Sequence, residues 1–292
     1  MSEAGVVGLP MYDGVLPRSV SDAFYELLVS KIESKLLRMP VTVSRDISLH
    51  ELWTHKDLLL AQTCGFPLVT KYQTDVKLVA SPSYSCEGCG QNTYKSAIIT
   101  RQNHPHIRHS IHLTTHPIVL AVNSFDSFSG WLMLLSSLQA IAHNASITIS
   151  RILVTGSHMS SIQAVTSGAA DIAAIDCVTL HLAAKNNLID SSCLNILTYS
   201  KEAPTLPYIT RKDTSDETLD ALQYALRASV ASGGAMAACI SGFSTSTTLA
   251  DYIRAVEEHR QLAVQVVDTD LYDLAKSCVS YTSVGGIPVC DY

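Results

Sequence analysis

VLAVNSFDSFSGWLMLLSSLQA, residues 119–140, is the stretch that decides the fold class. An apolar run is followed by the hydroxyl-rich turn Ser-Phe-Ser-Gly at 127–130, and then by apolar residues at helical spacing. The pattern therefore predicts a β-strand, a tight turn and an α-helix. The first backbone N–H groups of a helix have no partner inside it, and the helix dipole favours negative charge there. We expect residues 127–130 to form an anion-binding turn.

The same alternation of strand and helix runs along most of the chain. It is typical of an α/β protein built on mostly parallel sheets flanked by helices. Strands are predicted at 6–11, 41–44, 58–62, 76–80, 95–101, 118–122, 152–154, 171–175, 194–199 and 208–210. Helices are predicted at 21–37, with Ser21 as the N-cap, and at 130–143, 160–167, 178–185, 215–231 and 247–263.

The length of the chain, 292 residues, is about twice that of a typical domain and predicts two of them. The order of elements indicates one α/β lobe that is interrupted by a second and then resumed. We therefore expect a discontinuous lobe 1 made of residues 1–100 and 201–292. Lobe 2, residues 101–200, is inserted and carries the anion-binding turn. Because the chain crosses between the lobes twice, a hinge is expected there.

The composition excludes some classes of function. Hydrophobic residues make up 47% of the chain, its net charge is −6, and its pI is near 6.0. Since it has no Lys/Arg cluster, neither a nucleic-acid surface nor a polybasic membrane contact is expected. No apolar stretch approaches the roughly 20 residues that span a bilayer, so membrane insertion is not expected either.

The start of the chain, MSEAGVVGLPMYDG, bears on its location. It lacks the basic start and long apolar core of an export signal, because Pro10, Asp13 and Gly14 interrupt it. As written, the chain is expected in the cytoplasm. If an export signal has been removed, a periplasmic or extracellular location is expected instead.

Cysteine and histidine patterns predict no metal site and no cofactor. The eight cysteines are spread too widely for a small disulfide scaffold. Cys86 and Cys89 lie in a loop, without the second pair of a zinc site or the helix start of a thioredoxin-like site. They are interpreted as a chance pair, or as a local disulfide if the protein is exported. The histidine-rich segment 102–117 lacks repeated ligand spacing and is predicted to be a solvated loop.

Five sequence segments, which follow one another along the chain, together carry a resemblance to a known protein family. They are LLLAQTCGFPLV (58–69), NSFDSFSG (123–130), TGSHMSSIQA (155–164), ADIAAIDC (170–177) and LPYIT (206–210). In this combination the chain resembles the phosphate-, phosphite- and phosphonate-type substrate-binding proteins of ABC transporters, which have the type II periplasmic binding protein fold. The resemblance covers residues 6–211 and implies two lobes that close around a small anionic ligand, with an ABC permease as a partner.

The resemblance also implies that hydroxyls and helix N-termini of lobe 2 hold the anion. Ser127, Ser129 and Gly130 match the hydroxyl-rich turn, where the glycine allows a ligand to approach the backbone closely. His158, beside Ser157, is expected to donate to a phosphoryl oxygen, more strongly when protonated. The alternative role of the serines is helix capping, and the alternative for His158 is an exposed position in the first turn of a helix.

Three further positions complete the predicted site. Asp176 ends a strand, where it either caps the next helix or contacts a P–OH or ammonium group of the ligand. Tyr12 and Tyr84 are expected to wall the ligand cleft by stacking and hydroxyl donation, with packing at the lobe edge as the alternative. Thr63 follows a strand at its carboxyl end, from which it is expected to reach across the cleft.

The leading functional hypothesis is a non-catalytic solute-binding protein. It would clamp a small phosphorus oxyanion or organophosphonate between two lobes, for ABC-type uptake or sensing. The alternative is a cytosolic enzyme, a lyase or precursor synthase, on the same scaffold. No glycine-rich nucleotide loop, His-Glu-x-x-His or Gly-x-Ser-x-Gly motif occurs in the sequence, which argues against the enzyme.

Overall fold

The computed structural model describes residues 4–36, 40–107, 117–142, 148–264, 282–284 and 287–291. Their strands are β1 (Gly5–Gly8), β2 (Val41–Val43), β3 (Leu58–Gln62), β4 (Val76–Tyr84), β5 (Thr93–Tyr94), β6 (Ser96–Arg101), β7 (Ile118–Val122), β8 (Ile149–Val154), β9 (Ile172–Asp176), β10 (Leu194–Tyr199), β11 (Ala203–Pro204), β12 (Tyr208–Arg211), β13 (Ile240–Ser244), β14 (Thr282–Val284) and β15 (Ile287–Asp291).

The helices in the same part of the chain are α1 (Pro10–Asp13), α2 (Arg18–Lys35), α3 (Leu49–Trp53), α4 (Gly65–Pro67), α5 (Met133–Ala142), α6 (His158–Ser167), α7 (Cys177–Lys185), α8 (Asp216–Ala231) and α9 (Leu249–Val264). Two turns are π-helical, Leu68–Tyr72 and Phe128–Leu132. Two others are 3₁₀ turns, Ser191–Cys193 and Met236–Ala238.

The chain divides into two compact units. Unit 1 comprises Met1–Thr93, His181–Leu188 and Pro204–Ile253, and unit 2 comprises Tyr94–Leu180, Ile189–Ala203 and Arg254–Tyr292. The lobe boundaries expected from the sequence, at 100 and 200, stay a prediction. The chain after residue 253 groups with unit 2. There β15 pairs antiparallel with β8, with Val289 opposite Leu153, and so extends the sheet of unit 2.

Unit 1 is built on a six-stranded sheet of order β13-β4-β12-β3-β1-β2. The strand β1 is parallel to both β2 and β3, whereas β12 and β13 pair antiparallel with their neighbours. All five residues of β3, LLLAQ, are buried, as expected for a strand covered on both faces. The parallel strands β3, β1 and β2 therefore form one half of this sheet, and the half that contains β13, β4 and β12 is antiparallel.

Unit 2 has a seven-stranded sheet of order β10-β6-β9-β7-β8-β15-β14. Its parallel part is β7 with β8 and β9, and the flanking strands are antiparallel. Val122 lies opposite Val154, and Ala121 lies opposite Ala173. The carboxyl ends of β7, β8 and β9 therefore meet at one edge of the sheet, where α/β proteins commonly bind ligands. The core beneath includes Ile99, Leu153, Ile162, Val165 and Ile175.

The strand, turn and helix predicted from residues 119–140 are confirmed, as β7 followed by a helical segment over residues 128–142. Ser21 is not an N-cap. The helix α2 begins at Arg18 after Pro17, and Ser21 is buried inside it, where its hydroxyl donates to the Asp13 carboxylate. The first backbone N–H groups of a helix have no acceptor inside it. Pro17, which has no N–H, is therefore well tolerated at the start of α2. The predicted helix ends at 37 and 143 lie outside the described residues.

The histidine-rich segment is only partly described, since residues 108–116 lie outside the described ranges. His104 is buried rather than solvated, with its Nε2 2.8 Å from Asp171 Oδ1. The other carboxylate oxygen of Asp171 accepts from the Val119 N–H at 2.7 Å. This histidine therefore anchors the start of β7 through Asp171.

Candidate functional site

Ser127 caps the helical segment 128–142 in unit 2. Its Oγ accepts a hydrogen bond from the Gly130 N–H at 3.0 Å. The Leu132 N–H donates to the Ser127 carbonyl at 3.2 Å, which makes the first turn π-helical. The capping role that the sequence left open is therefore present. Because a hydroxyl can accept and donate at once, capping leaves the Ser127 hydrogen able to donate to another group.

Ser129 and His158 form a direct hydrogen bond. Ser129 lies in the first turn of the helical segment, and His158 is the first residue of α6. The distance from Ser129 Oγ to His158 Nε2 is 2.8 Å. Ser129 is also fixed from the opposite side, because Ser96 Oγ donates to its carbonyl at 3.0 Å. The sequence placed both residues in one site, and the structure brings them together.

Burial determines the charge of His158. Desolvation lowers its pKa from 6.5 to about 4, and the nearby Ala174 carbonyl only partly opposes this. The imidazole is therefore neutral near pH 7, so the stronger donation expected of a protonated ring does not apply there. Its Nδ1 is buried and meets no group at hydrogen-bonding geometry within the described structure, whereas its Nε2 is hydrogen-bonded to the Ser129 hydroxyl.

Position 130 has no room for a side chain, so it requires a glycine. A Cβ atom at this position would lie 1.8 Å from Asn123 Oδ1 and 3.2 Å from His158 Cε1. Asn123 follows β7 directly, and its Oδ1 is buried without a hydrogen-bond partner among the described residues. Asn123 was not among the predicted site residues, although its position after a parallel strand was a usable signal. The missing side chain of Gly130 lets Asn123 and His158 approach the same turn.

Ser157 and Asp176 both act as helix caps. Ser157 is exposed and accepts from the Ser160 N–H at 3.1 Å at the start of α6. Asp176 is buried, and its Oδ1 accepts from the N–H groups of Val178 at 2.7 Å and Thr179 at 3.0 Å. The capping alternative is therefore present at both positions.

The residues predicted in unit 1 separate into two groups. The rings of Tyr12 and Tyr84 meet edge to face, with centroids 5.5 Å apart. Gln62 Nε2 donates to the Tyr84 hydroxyl at 3.0 Å. These three side chains line a cavity of about 30 Å³, which has room for about one water molecule. Thr63 is buried but does not line this cavity, and its hydroxyl donates to the Cys64 carbonyl at 3.4 Å.

A buried polar network holds α1, the helix that carries Tyr12. Asp13 accepts hydrogen bonds from Ser21 and, at 3.0 Å, from Arg45. The Arg45 guanidinium also lies 4.2 Å from the centre of the Tyr25 ring. Burial, followed by the Asp13 charge, raises the pKa of Tyr25 far above its usual range. Nothing in the sequence pattern pointed to this network, because its members are far apart along the chain.

Residues 48–252 match the sequence model of a protein family described as "ABC transporter, phosphonate, periplasmic substrate-binding protein". This range covers the parallel strands of unit 2 and the whole turn from Ser127 to Gly130. The chain belongs to this family of solute-binding proteins. A comparison with curated protein sequences found no match.

Several solved structures share the fold at low sequence identity. A binding protein component of an ABC phosphonate transporter from Pseudomonas aeruginosa is 12% identical, with a TM-score of 0.66 and 95% of each chain covered. PhnD1 from Prochlorococcus marinus, in complex with methylphosphonate, is 18% identical, with a TM-score of 0.63, and the match covers 89% of this chain and 98% of that one. A Xanthomonas citri protein bound to ATP is 12% identical, with a TM-score of 0.63 and coverages of 96% and 100%.

These likenesses confirm the predicted two-lobed periplasmic-binding-protein fold class. The cytoplasmic location expected from the sequence as written is not supported, because the family is one of periplasmic proteins. Among the described residues, no helix combines the length and the apolar character needed to cross a bilayer.

Proposed function

We propose that this chain binds a small phosphorus oxyanion or organophosphonate at the turn formed by Ser127, Ser129 and Gly130, for ABC-type uptake or sensing, and does not transform it. The observation that carries the proposal is the 2.8 Å hydrogen bond between Ser129 and His158 at the start of a helical segment. Hydroxyl groups and backbone amides at a helix N-terminus suit an anion that has lost its water shell.

The proposed contacts carry no full positive charge at neutral pH. Ser127 and Ser129 are neutral, and His158 is neutral because of burial. The anion is therefore held by O–H and N–H dipoles and by the positive end of the helix dipole. Such a site binds most tightly a ligand whose oxygens accept from all of these donors. A buried donor left without an acceptor would lower the binding free energy by about 1–3 kcal/mol.

His158 has an orienting role in this proposal. When its Nε2–H donates to Ser129 Oγ, the hydroxyl hydrogen of Ser129 is released toward a ligand oxygen. The imidazole then fixes the direction of the serine donor and does not itself supply charge. Ser157, the exposed residue directly before His158, contributes a further hydroxyl.

The roles of the remaining predicted residues are also part of the proposal. Asp176 contacts a P–OH or ammonium group of the ligand through the carboxylate that caps α7. Tyr12 and Thr63 stay predicted ligand contacts, and the pairing of Tyr12 with Tyr84 supports an aromatic surface for an organic substituent. The proposal includes a periplasmic or extracellular location and an ABC permease as partner, and the description of the family as periplasmic and as part of ABC transporters supports it.

The test is a binding screen with phosphate, phosphite, methylphosphonate and 2-aminoethylphosphonate, using thermal shift and then calorimetry. At least one ligand should raise the unfolding temperature, because it binds only the folded state. The double variant Ser127→Ala with Ser129→Ala should lose that shift while its circular dichroism spectrum stays unchanged. Ser167→Ala, an exposed hydroxyl at the far end of α6, is the matched control and should bind normally. Retained affinity in the double variant would refute the site.

The non-catalytic part of the proposal has its own measurement. Each ligand that binds is incubated with the protein and followed by ³¹P NMR. After the protein is denatured and removed, we expect only the resonance of the intact ligand, and product formation that depends on Ser129 would instead support the enzyme alternative.

A further inference from the structure

Cys86 and Cys89 occupy the two ends of a tight turn in unit 1. The Cys89 N–H donates to the Cys86 carbonyl at 3.2 Å, and Gly88 has a φ of +86°. A glycine with positive φ at the third position is what a type II turn requires. The turn therefore fixes both cysteines on one side of the loop between β4 and β5. In the structure their side chains are thiols without a disulfide bond.

The two sulfur atoms are 3.2 Å apart. A disulfide bond is about 2.0 Å long, so a shift of about 1 Å would join them. Both residues are half-buried, which leaves the loop within reach of a small molecule. From this geometry we propose that Cys86 and Cys89 form a reversible dithiol–disulfide site, independent of the anion-binding function.

The surrounding backbone holds the turn from both sides. The Ser85 N–H donates to the Cys239 carbonyl at 2.8 Å, and the Gly90 N–H donates to the Thr93 carbonyl at 2.9 Å. Asn92 is tied to the preceding strand, because Ser83 Oγ donates to its Oδ1 at 2.5 Å. These anchors fix the stem of the loop while only two side chains have to move. Formation of the disulfide therefore needs no rearrangement of β4.

The reaction is a thiol–disulfide exchange with a small-molecule disulfide as oxidant. One cysteine, as its thiolate, attacks a sulfur of the oxidant, forms a mixed disulfide and releases one small thiol. The second cysteine then attacks the protein sulfur of the mixed disulfide and releases the second small thiol. Both cysteines lose their protons, the loop is oxidised by two electrons, and the oxidant is reduced to two thiols. Ser85 alone separates Cys86 from Tyr84, whose ring packs against Tyr12.

The experiment equilibrates the full chain with a series of oxidised-to-reduced glutathione ratios, blocks remaining thiols with N-ethylmaleimide and maps peptides by mass spectrometry. The peptide that contains Cys86 and Cys89 should lose two hydrogens and escape alkylation. Half conversion should occur at an oxidant ratio about tenfold lower than Cys86→Ser or Cys89→Ser needs for glutathionylation of its remaining thiol, because the second step is intramolecular.

Cys193→Ser is the matched control, since Cys193 is exposed and outside the turn, and it should titrate like the natural protein. Three results would overturn the proposal: alkylation of both thiols at every ratio, separate glutathione adducts on both, or a disulfide from either residue to another cysteine. The experiment uses no phosphorus ligand, so its failure does not bear on the proposed binding function.

Discussion

His158 Nε2 lies 2.8 Å from Ser129 Oγ, on a ring whose pKa burial lowers to about 4. The bond joins the first turn of the helical segment 128–142 to the first turn of α6. A neutral imidazole makes this connection in either tautomer, but an imidazolium there lacks a compensating carboxylate in the hydrogen bonds described. Protonation of His158 therefore disfavours the folded state, which makes the fold sensitive to acid.

The first prediction concerns that sensitivity. The pKa of His158 is about 4 in the folded protein and near 6.5 when unfolded, so the unfolded chain binds more protons between these values. The part of the free energy of unfolding that depends on His158 is therefore highest above pH 6.5 and falls as the pH drops toward 4. Between pH 7 and pH 5, protonation of His158 in the unfolded chain should lower the free energy of unfolding by on the order of 2 kcal/mol. Urea unfolding of the natural protein and of His158→Gln at pH 7 and pH 5 should show a smaller pH effect in the variant.

His259 provides the comparison for this experiment. It is buried in unit 2, its Nδ1 lies 2.7 Å from Ser136 Oγ, and desolvation lowers its pKa to about 4 as well. His259→Gln should remove a similar share of the pH dependence, and the double variant should remove both. Identical pH slopes in all four proteins would contradict the burial of these rings.

The second prediction tests the space at Gly130. Alanine there would place its Cβ 1.8 Å from Asn123 Oδ1, so the amide and the His158 ring must move. We expect Gly130→Ala to cost about 1–3 kcal/mol of unfolding free energy, as overpacking usually does. Methylphosphonate affinity should fall at least tenfold. Chemical denaturation and calorimetry measure the two effects.

Gly14→Ala is the control for this substitution. An added Cβ at Gly14 meets no atom within 4 Å, and the residue has a φ of −72°. Its stability should match that of the natural protein within about 0.5 kcal/mol. Equal effects of the two substitutions would show that Asn123 does not limit the space at Gly130.

The architecture could be read from the sequence because its parallel core is made of short apolar runs. The predicted strands at 58–62, 118–122 and 194–199 coincide with β3, β7 and β10. Apolar periodicity reports burial but not strand direction, so it could not show that β12 pairs antiparallel with both β3 and β4. The strand β13 was missed because ISGFS contains a glycine and two serines, which weaken the strand signal.

The sequence could bring two candidate residues together but could not give their chemistry. Ser129 was named from the turn pattern and His158 from the family resemblance, and the two share a hydrogen bond. The neutral state of His158 depends on how deeply neighbouring segments bury it, which residue spacing does not report. Asn123 was not predicted because its place after a parallel strand was its one signal, and an amide next to a hydroxyl-rich turn has no distinctive spacing. Its closeness to Gly130 appears only in three dimensions.

The third prediction concerns the aromatic pair in unit 1. Tyr12 and Tyr84 meet edge to face at 5.5 Å, a geometry worth about 0.5–1.5 kcal/mol beyond area burial. A double-mutant cycle of Tyr12→Leu and Tyr84→Leu, followed by urea unfolding, should give a coupling energy of about 1 kcal/mol. Tyr224 is 44% exposed and packs against Lys35, so Tyr12→Leu and Tyr224→Leu should be additive. Additivity in both cycles would mean that the rings do not stabilise one another.

The fourth prediction separates the two roles of Asp176. Its Oδ1 accepts from the N–H groups of Val178 and Thr179, and an asparagine keeps an Oδ1 acceptor in the same place. Asp176→Asn should therefore cost only about 0.5–1 kcal/mol of stability. If the carboxylate also contacts an ammonium group, the affinity for 2-aminoethylphosphonate should fall at least tenfold while that for methylphosphonate changes little. If it contacts a P–OH group, both affinities should fall together.

Asp190→Asn is the matched control for this measurement. Asp190 also caps a helical turn, because its Oδ1 accepts from the Ser192 N–H at 2.9 Å, but the turn is exposed and lies at the start of β10. We expect a small loss of stability and unchanged calorimetric affinity for both ligands. If Asp176→Asn behaves in the same way, Asp176 is a cap alone, and the selectivity of the site has to come from the serine hydroxyls and His158.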